Sequence, residues 1–362
     1  MELLALDLQP HLGEPTGENN CPNENSNCVP YYLCSNGSIN TNGEGLIDIR
    51  KDEGPCTDYM QICCEKKDQT SQPLTTTPPP VPPPKGCGYR RPNGVGFKIT
   101  GAKNNESQFG EFPWMAAVFR DIGFPSIPDE YRCGGALIHP QVVITAAHCV
   151  SNKNISFKIR VGEWDSVRPN VLYPYQNKKV YSVKIHPQYY SGALYNDIAF
   201  LYLESPVTIN EHVDVICLPP QEVVTDERCY STGWGKDQFG KEGVYQVILK
   251  KIDLPLVPKD VCQEKLRQTR LGKDFELHRS FMCAGGEKGK DTCKGDGGSP
   301  LVCPIKGEED RYYHAGIVAW GIGCGENDIP GVYTDVAMFR EWIDEQMKFN
   351  GLDNEIDTSI LM

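Results

Sequence analysis

From Cys87 onward the chain is a succession of short β-branched runs broken by Gly and Pro. Apolar residues gather in Met115–Phe119, Ala136–Ile138, Val142–Ala146, Phe157–Val161, Asp197–Leu203, Val244–Leu249, Ala315–Trp320 and Gly331–Tyr333. Many short strands separated by turn signals predict an all-β barrel or sandwich. One stretch keeps a helical period instead. Val336, Phe339, Ile343 and Met347 recur at three- and four-residue steps behind Thr334 and Asp335, which are cap candidates, and this predicts a C-terminal helix. Before Cys87 neither period is sustained, and Ser35-Asn-Gly-Ser and Asn42-Gly-Glu-Gly mark a loop-rich segment.

Composition sharpens this division. The chain has 362 residues, enough for two domains or three. Its 16 Cys form an even, dense set, which indicates eight disulfides in an exported protein, because cytosolic thiols stay reduced. Six of them, Cys21, Cys28, Cys34, Cys56, Cys63 and Cys64, crowd into a module too small to be held by a core alone. Six Cys allow 15 pairings, and spacing does not choose among them. Thr75-Thr-Thr and Pro78-Pro-Pro-Val-Pro-Pro-Pro then form a semi-rigid polyproline spacer. The domain reading is an extension at 1–20, the Cys-rich module at 21–64, a linker at 65–86, the main domain at 87–350 and a tail at 351–362.

Net charge is −12, from 36 Lys+Arg and 48 Asp+Glu, which argues against a nucleic-acid partner. Mean hydropathy is −0.43, and no apolar run reaches the ~20 residues of a membrane helix. Met1–Leu12 holds a short Leu-Leu-Ala-Leu run, but Glu2 and Asp7 stand where a signal peptide needs a basic start and a longer apolar stretch. The expectation is a secretory signal already absent. N-x-Ser acceptors at Asn36, Asn105 and Asn154 fit export and glycosylation.

Three segments carry candidate chemistry. Thr145-Ala-Ala-His148-Cys149 sets a His against a Cys at the end of an apolar strand. Asn196-Asp197 opens another strand. Cys293-Lys-Gly-Asp-Gly-Gly-Ser-Pro-Leu-Val-Cys303 is a Gly-rich turn between two Cys. In this order they resemble the trypsin-like serine proteases. Ile99-Thr-Gly-Ala, Phe112-Pro-Trp114, Cys133-Gly-Gly-Ala-Leu-Ile, Thr232-Gly-Trp-Gly, Met282-Cys-Ala-Gly and Pro330-Gly-Val-Tyr-Thr extend the resemblance over about residues 99–349. It implies a double six-stranded β-barrel with a C-terminal helix.

The family's turn reads Cys-x-Gly-Asp-Ser-Gly-Gly-Pro, and here Gly297 holds the place of the nucleophile. The mechanism needs a hydroxyl that attacks a carbonyl and passes its proton to a His held by a buried Asp. Ser299 lies two residues on, up to ~6–7 Å along an extended chain, beyond hydrogen-bond reach of the same base. His148 and Asp197 read as a catalytic pair or, with Gly297 at the nucleophile's place, as a vestigial pair retained in the core that still helps the barrel pack. The resemblance implies that Gly295 keeps an oxyanion-type N–H. The resemblance places Asp291 at the floor of a pocket for Arg or Lys, with Gly321 and Gly331 on its wall; the pocket is either open to a basic side chain or unused. Asp296 matches the residue that receives a new N-terminus after a cut at Lys98-Ile99.

The resemblance also implies the pairs Cys133–Cys149, Cys229–Cys303, Cys262–Cys283, Cys293–Cys324 and Cys87–Cys217. Glu163, Asp165, Arg168 and Asn170 fall where many trypsin-like domains hold Ca²⁺, and the readings are a structural Ca²⁺ or a plain surface loop. The front module resembles the clip domain of arthropod proteases, which implies Cys21–Cys63, Cys28–Cys56 and Cys34–Cys64. Arg50-Lys51, between Cys34 and Cys56, is a candidate regulatory cleavage site or a solvated basic pair.

Together the two modules resemble clip-domain serine protease homologues of the masquerade-like, prophenoloxidase-activating kind. That resemblance implies a secreted haemolymph cofactor without catalysis, cut by an upstream clip-domain protease, which then supports conversion of prophenoloxidase to phenoloxidase in melanisation. An oligomer after cleavage is part of the same expectation. The competing readings are a decoy or adhesion protein acting through the clip module, and a weak trypsin-like protease using Ser299.

Overall fold

The computed structural model describes residues 21–30, 33–35, 46–48, 56, 61–70, 86–96, 98–100, 105–123, 129–167, 173–219, 228–236, 245–288, 296–323 and 328–352. The protein is all-β, with two closed six-stranded barrels behind a small disulfide-bonded module. Closure leaves neither barrel with a free edge for another chain to pair with.

In the front module β1 (Ser26–Pro30) pairs antiparallel with β3 (Gln61–Glu65). Cys21–Cys63, Cys28–Cys56 and Cys34–Cys64 staple the pair. Between them β2 (Leu46–Asp48) leaves the module and pairs in parallel with β4 (Lys98–Thr100), with Leu46 opposite Lys98, Ile47 opposite Ile99 and Asp48 opposite Thr100.

The first barrel uses β5 (Met115–Asp121), β6 (Glu130–His139), β7 (Val142–Thr145), β8 (Ser156–Val161), β9 (Gln176–Ile185) and β10 (Ala199–Leu203), closed in the order β10-β7-β6-β5-β8-β9. All residues of β7 and β10 are buried, as expected of strands covered on both sides, whereas β9 alternates toward solvent. The second barrel uses β11 (Arg228–Gly233), β12 (Lys250–Val257), β13 (Phe281–Gly285), β14 (Pro300–Pro304), β15 (Tyr312–Trp320) and β16 (Pro330–Asp335), in the order β11-β12-β13-β16-β15-β14.

The helical period near the end appears as a 3₁₀ turn at Val336–Phe339 running into α3 (Arg340–Phe349), after the single turn α1 (Ala147–Val150) and α2 (Lys259–Arg267). Neither Thr334 nor Asp335 caps it: Asp335 precedes the turn without a side-chain cap bond, and Thr334 Oγ1 donates to the Asp197 carbonyl at 3.0 Å. Ile343 and Met347 are buried in the core of the first barrel, and Trp342 stacks on Phe200 at 5.1 Å. The helix that follows the second barrel thus reaches back and fastens it to the first.

Two readings need correction. Val244–Leu249 is no strand among its described residues: Tyr245 and Ile248 make single bridges, Tyr245 and Val247 are exposed, and the ladder with β11 starts only at Lys250. The Asp197–Leu203 run enters its ladder at Ala199, because Asp197 is spent on a different contact.

Candidate functional site

His148 stands on α1, which follows β7 directly, and Cys133–Cys149 ties that turn to β6. Asp197 arrives from a reversal in which Leu194 and Asn196 take left-handed φ angles of 57° and 56°. Asn tolerates that conformation. Its amide N–H donates to Ser280 Oγ at 3.1 Å and its Nδ2 to the Gln188 carbonyl at 2.8 Å, which fix the turn. The Asp197 carboxylate is fully buried. It accepts from the His148 backbone N–H at 2.8 Å, and its second oxygen lies 2.6 Å from His148 Nδ1. The two residues sequence reasoning singled out are therefore in contact, one carboxylate oxygen on the imidazole and the other on the His148 backbone.

Gly297 is on the far side of that ring. A Cβ built there lies 2.9 Å from His148 Nε2, so the imidazole already fills space a side chain would take. The Gly297 carbonyl accepts from Gly134 N–H at 3.0 Å, which joins the turn to the first barrel. Gly298 has φ +78°, and an added Cβ would collide with Thr145 Oγ1 and the Gly134 carbonyl, so only Gly fits this close crossing. Ser299 is fully buried, its Oγ packed toward Gly134 and without a hydrogen-bond partner. Asp296 accepts from Gly235 N–H at 2.8 Å. The arrangement presents a base and its orienting carboxylate, but no oxygen at residue 297 for the base to activate.

Gly321 is exposed just after β15, where an added Cβ would lie 3.6 Å from the Gly323 carbonyl oxygen, and Gly331 is buried in β16. Asp291, Gly295, Cys293 and Cys324 lie outside the described residues, as do Asn36, Arg50, Lys51, Arg168 and Asn170. Lys98 and Ile99 are the first two residues of β4. Asn105 is exposed with φ 62°, and Asn154 is exposed. The remaining sulfurs are joined as Cys87–Cys217, Cys229–Cys303 and Cys262–Cys283. Among the described residues two groupings could suggest a metal centre, Cys21/Cys28/Cys56/Cys63 and Cys133/His148/Cys149, and every sulfur in them is in a disulfide. Oxidised sulfur offers no thiolate.

The donors at the expected Ca²⁺ position are engaged. Glu163 Oε2 accepts from Arg160 Nη1 at 3.0 Å and its other oxygen from Trp164 N–H, while Asp165 accepts from Val167 N–H. Arg160 is itself held over Tyr175 at 4.0 Å and bonded to Asn177. Of the expected Ca²⁺ set only Glu163 and Asp165 are described, and both carboxylates already accept hydrogen bonds from within the protein.

Two groups were missed at the sequence level. Tyr195, two residues before Asp197 in sequence, stacks on His278 at 4.0 Å and packs against Phe281, which in turn meets Trp320. Its signal was the unusual Tyr189-Tyr190 and Tyr195 in one short loop. Glu111, fully buried, accepts from Arg90 at 2.6 Å and Lys251 at 2.7 Å, with Arg90 lying 4.2 Å over Tyr230. This cluster and Cys87–Cys217 anchor the segment that leads out of the linker.

Comparison with known proteins places these features. Residues 102–343 match the trypsin family, and residues 15–65 match the family described as serine protease clip domain PPAF-2. The chain is 51% identical over 281 residues to phenoloxidase-activating factor 2 of Galleria mellonella, covering 75% of this chain and 92% of that protein. It is 40% identical over 325 residues to inactive CLIP domain-containing serine protease A8 of Anopheles gambiae, covering 87% of each. It is 36% identical over 261 residues to protein masquerade of Drosophila melanogaster, covering 70% of this chain and 24% of that one. With both modules matched and both barrels formed, the chain belongs to the clip-domain family of trypsin-like serine proteases and their homologues.

Proposed function

We infer that this is a non-catalytic serine protease homologue, a secreted cofactor that supports phenoloxidase activation after its own cleavage. The observation that carries the reading is Gly297 against His148 Nε2: the dyad faces a residue with no side chain. Removing a triad nucleophile costs on the order of 10⁶-fold in rate, and what an oxyanion hole retains would not sustain a hydrolase. Ser299 offers no replacement, because it is buried away from solvent and packs toward Gly134. Relatives named inactive and relatives named phenoloxidase-activating factors support the two halves of the inference. Among the described residues no helix is long and apolar enough to cross a membrane, and the disulfides fit an oxidising, extracellular setting.

The test mixes purified protein, before and after limited digestion by an upstream clip-domain protease, with prophenoloxidase and its processing enzyme. Phenoloxidase output is expected to rise only with the digested form. Unchanged or lowered output would favour the decoy reading. Sustained turnover of an Arg-nitroanilide substrate that disappears in Ser299→Ala would overturn the non-catalytic reading.

A further inference from the structure

We propose that strand Leu46–Asp48 of the clip module guards the Lys98–Ile99 bond, so that a cut after Arg50 or Lys51 must come first. The proposal rests on the reading that this protein acts after proteolysis. Its observation is separate: both residues of the Lys98–Ile99 bond lie in the parallel ladder with Leu46–Asp48, Leu46 opposite Lys98 and Ile47 opposite Ile99.

A protease takes its substrate as a single extended strand, with the cleft walls close on both sides. A bond already paired with a neighbouring strand fits that cleft only after the neighbour leaves. Cleavage then follows the population of the open form. A three-residue pair makes only a few hydrogen bonds, each worth up to about tenfold net, so the closed form protects the bond ~10- to 100-fold.

What keeps so short a pair closed is its tether. The loop bearing Leu46–Asp48 is fixed at both ends, by Cys34–Cys64 on one side and Cys28–Cys56 on the other, and both bridges insert into the β1–β3 body. Holding both ends limits the entropy gained when the strand detaches. Arg50 and Lys51 follow Asp48 by two and three residues in the sequence. A cut there releases the second anchor and leaves the strand beside a new chain end, where short strands fray. The order that results is clip loop first, Lys98–Ile99 second. The module is not lost in either step, since Cys87–Cys217 spans the second cut.

The experiment digests the full chain with trypsin and follows the new N-terminus Ile99-Thr-Gly-Ala by sequencing under reduction. In the wild type this terminus is expected to appear after a lag, behind the cut at Arg50 or Lys51. In the double variant Arg50→Gln, Lys51→Gln its appearance should slow at least tenfold, and adding Ile47→Pro should restore the rate. Equal rates in wild type and double variant overturn the proposal, as does the Ile99 terminus preceding the loop cut, or its absence from every variant. Hydrogen exchange reads the pairing without relying on the Pro variant. Amides at 98–100 should lose at least tenfold protection once the loop is cut, and unchanged protection also overturns it. No prophenoloxidase enters these measurements. If the order holds while prophenoloxidase output does not respond, the functional reading falls and the guard strand stands.

Discussion

Gly297→Ser adds a Cβ and a hydroxyl at a point the His148 ring already occupies. The new Cβ would lie 2.9 Å from Nε2 and 3.4 Å from Cε1. Ordinary contact begins near 3.4 Å, so Nε2 must withdraw by about 0.5 Å. The ring can do this toward solvent, because its side chain is 28% exposed, whereas Asp197 behind it is fully buried and cannot follow. The Nδ1–Oδ2 separation of 2.6 Å would stretch toward ~3.1 Å, still a hydrogen bond, at a cost of about 1 kcal/mol. A domain of this size loses roughly 2–4 °C in Tm per kcal/mol, so the variant should fold and melt a few degrees lower. Its hydroxyl then stands next to an oriented imidazole. A fluorophosphonate probe should label Gly297→Ser at residue 297, at least ~100-fold faster than any reaction of the wild type, yet short of the ~10⁶-fold that an undisturbed triad supplies. The assay is labelling followed by mass spectrometry, with scanning calorimetry for the melting shift. Wild-type protein labelled as fast as the variant, or a label found on Ser299, would refute the reasoning.

Replacing the buried anchor, Glu111→Gln, leaves Arg90 and Lys251 without their shared carboxylate; a cost of about 3–5 kcal/mol and a Tm lowered by ~6–20 °C are expected, and calorimetry showing less than ~2 °C would contradict the anchor. Burial holds the His314 pKa down to about 3, below the ordinary 6.5, so the unfolded chain takes up the proton first and stability falls as pH drops from about 6.5 toward 3, by ~4–5 kcal/mol in total. Burial pushes Asp214 up to about 6, which works oppositely: the folded chain holds that proton more tightly and gains ~3 kcal/mol as pH falls from about 6 to 4. Denaturant titrations across this range should show His314→Leu flattening the acid loss and Asp214→Asn removing the opposing gain; unaltered slopes would count against both assignments. Millimolar Ca²⁺ should leave Tm unchanged, and Tb³⁺ luminescence sensitised through Trp164 should stay at background, because Arg160 holds Glu163. Micromolar Tb³⁺ binding by the wild type would contradict that.

Legibility varied with how local the determining contacts are. The strands Met115–Asp121 and Val142–Thr145 could be read from the chain by their apolar runs, and Ser156–Val161 by its alternation of apolar and polar residues. Arg228–Gly233 could not, since its Ser231 and Thr232 look like loop residues until the barrel supplies partners. Ser231 Oγ donates to the Pro300 carbonyl, and Thr232 Oγ1 lies 3.3 Å from Met115 Sδ. Gln176–Ile185 was hidden by its Lys-rich outer face. Val244–Leu249 misled in the other direction, because a run of strand formers is a strand only where a neighbour's hydrogen bonds fall upon it.

The absence of an oxygen at residue 297 is covalent, and no fold can supply it. The motif register around Gly297, the density of Cys and the proline spacer are likewise properties of the chain itself. Only the tertiary structure decided that the His148 imidazole leans into the space beside Gly297, that Ser299 is sealed under Gly134, that Arg160 claims the acidic loop, and that a clip strand lies along Lys98–Thr100. Each of these joins residues far apart in sequence, and such contacts are fixed by which surfaces the closed barrels and disulfides bring together, not by the propensity of any single segment.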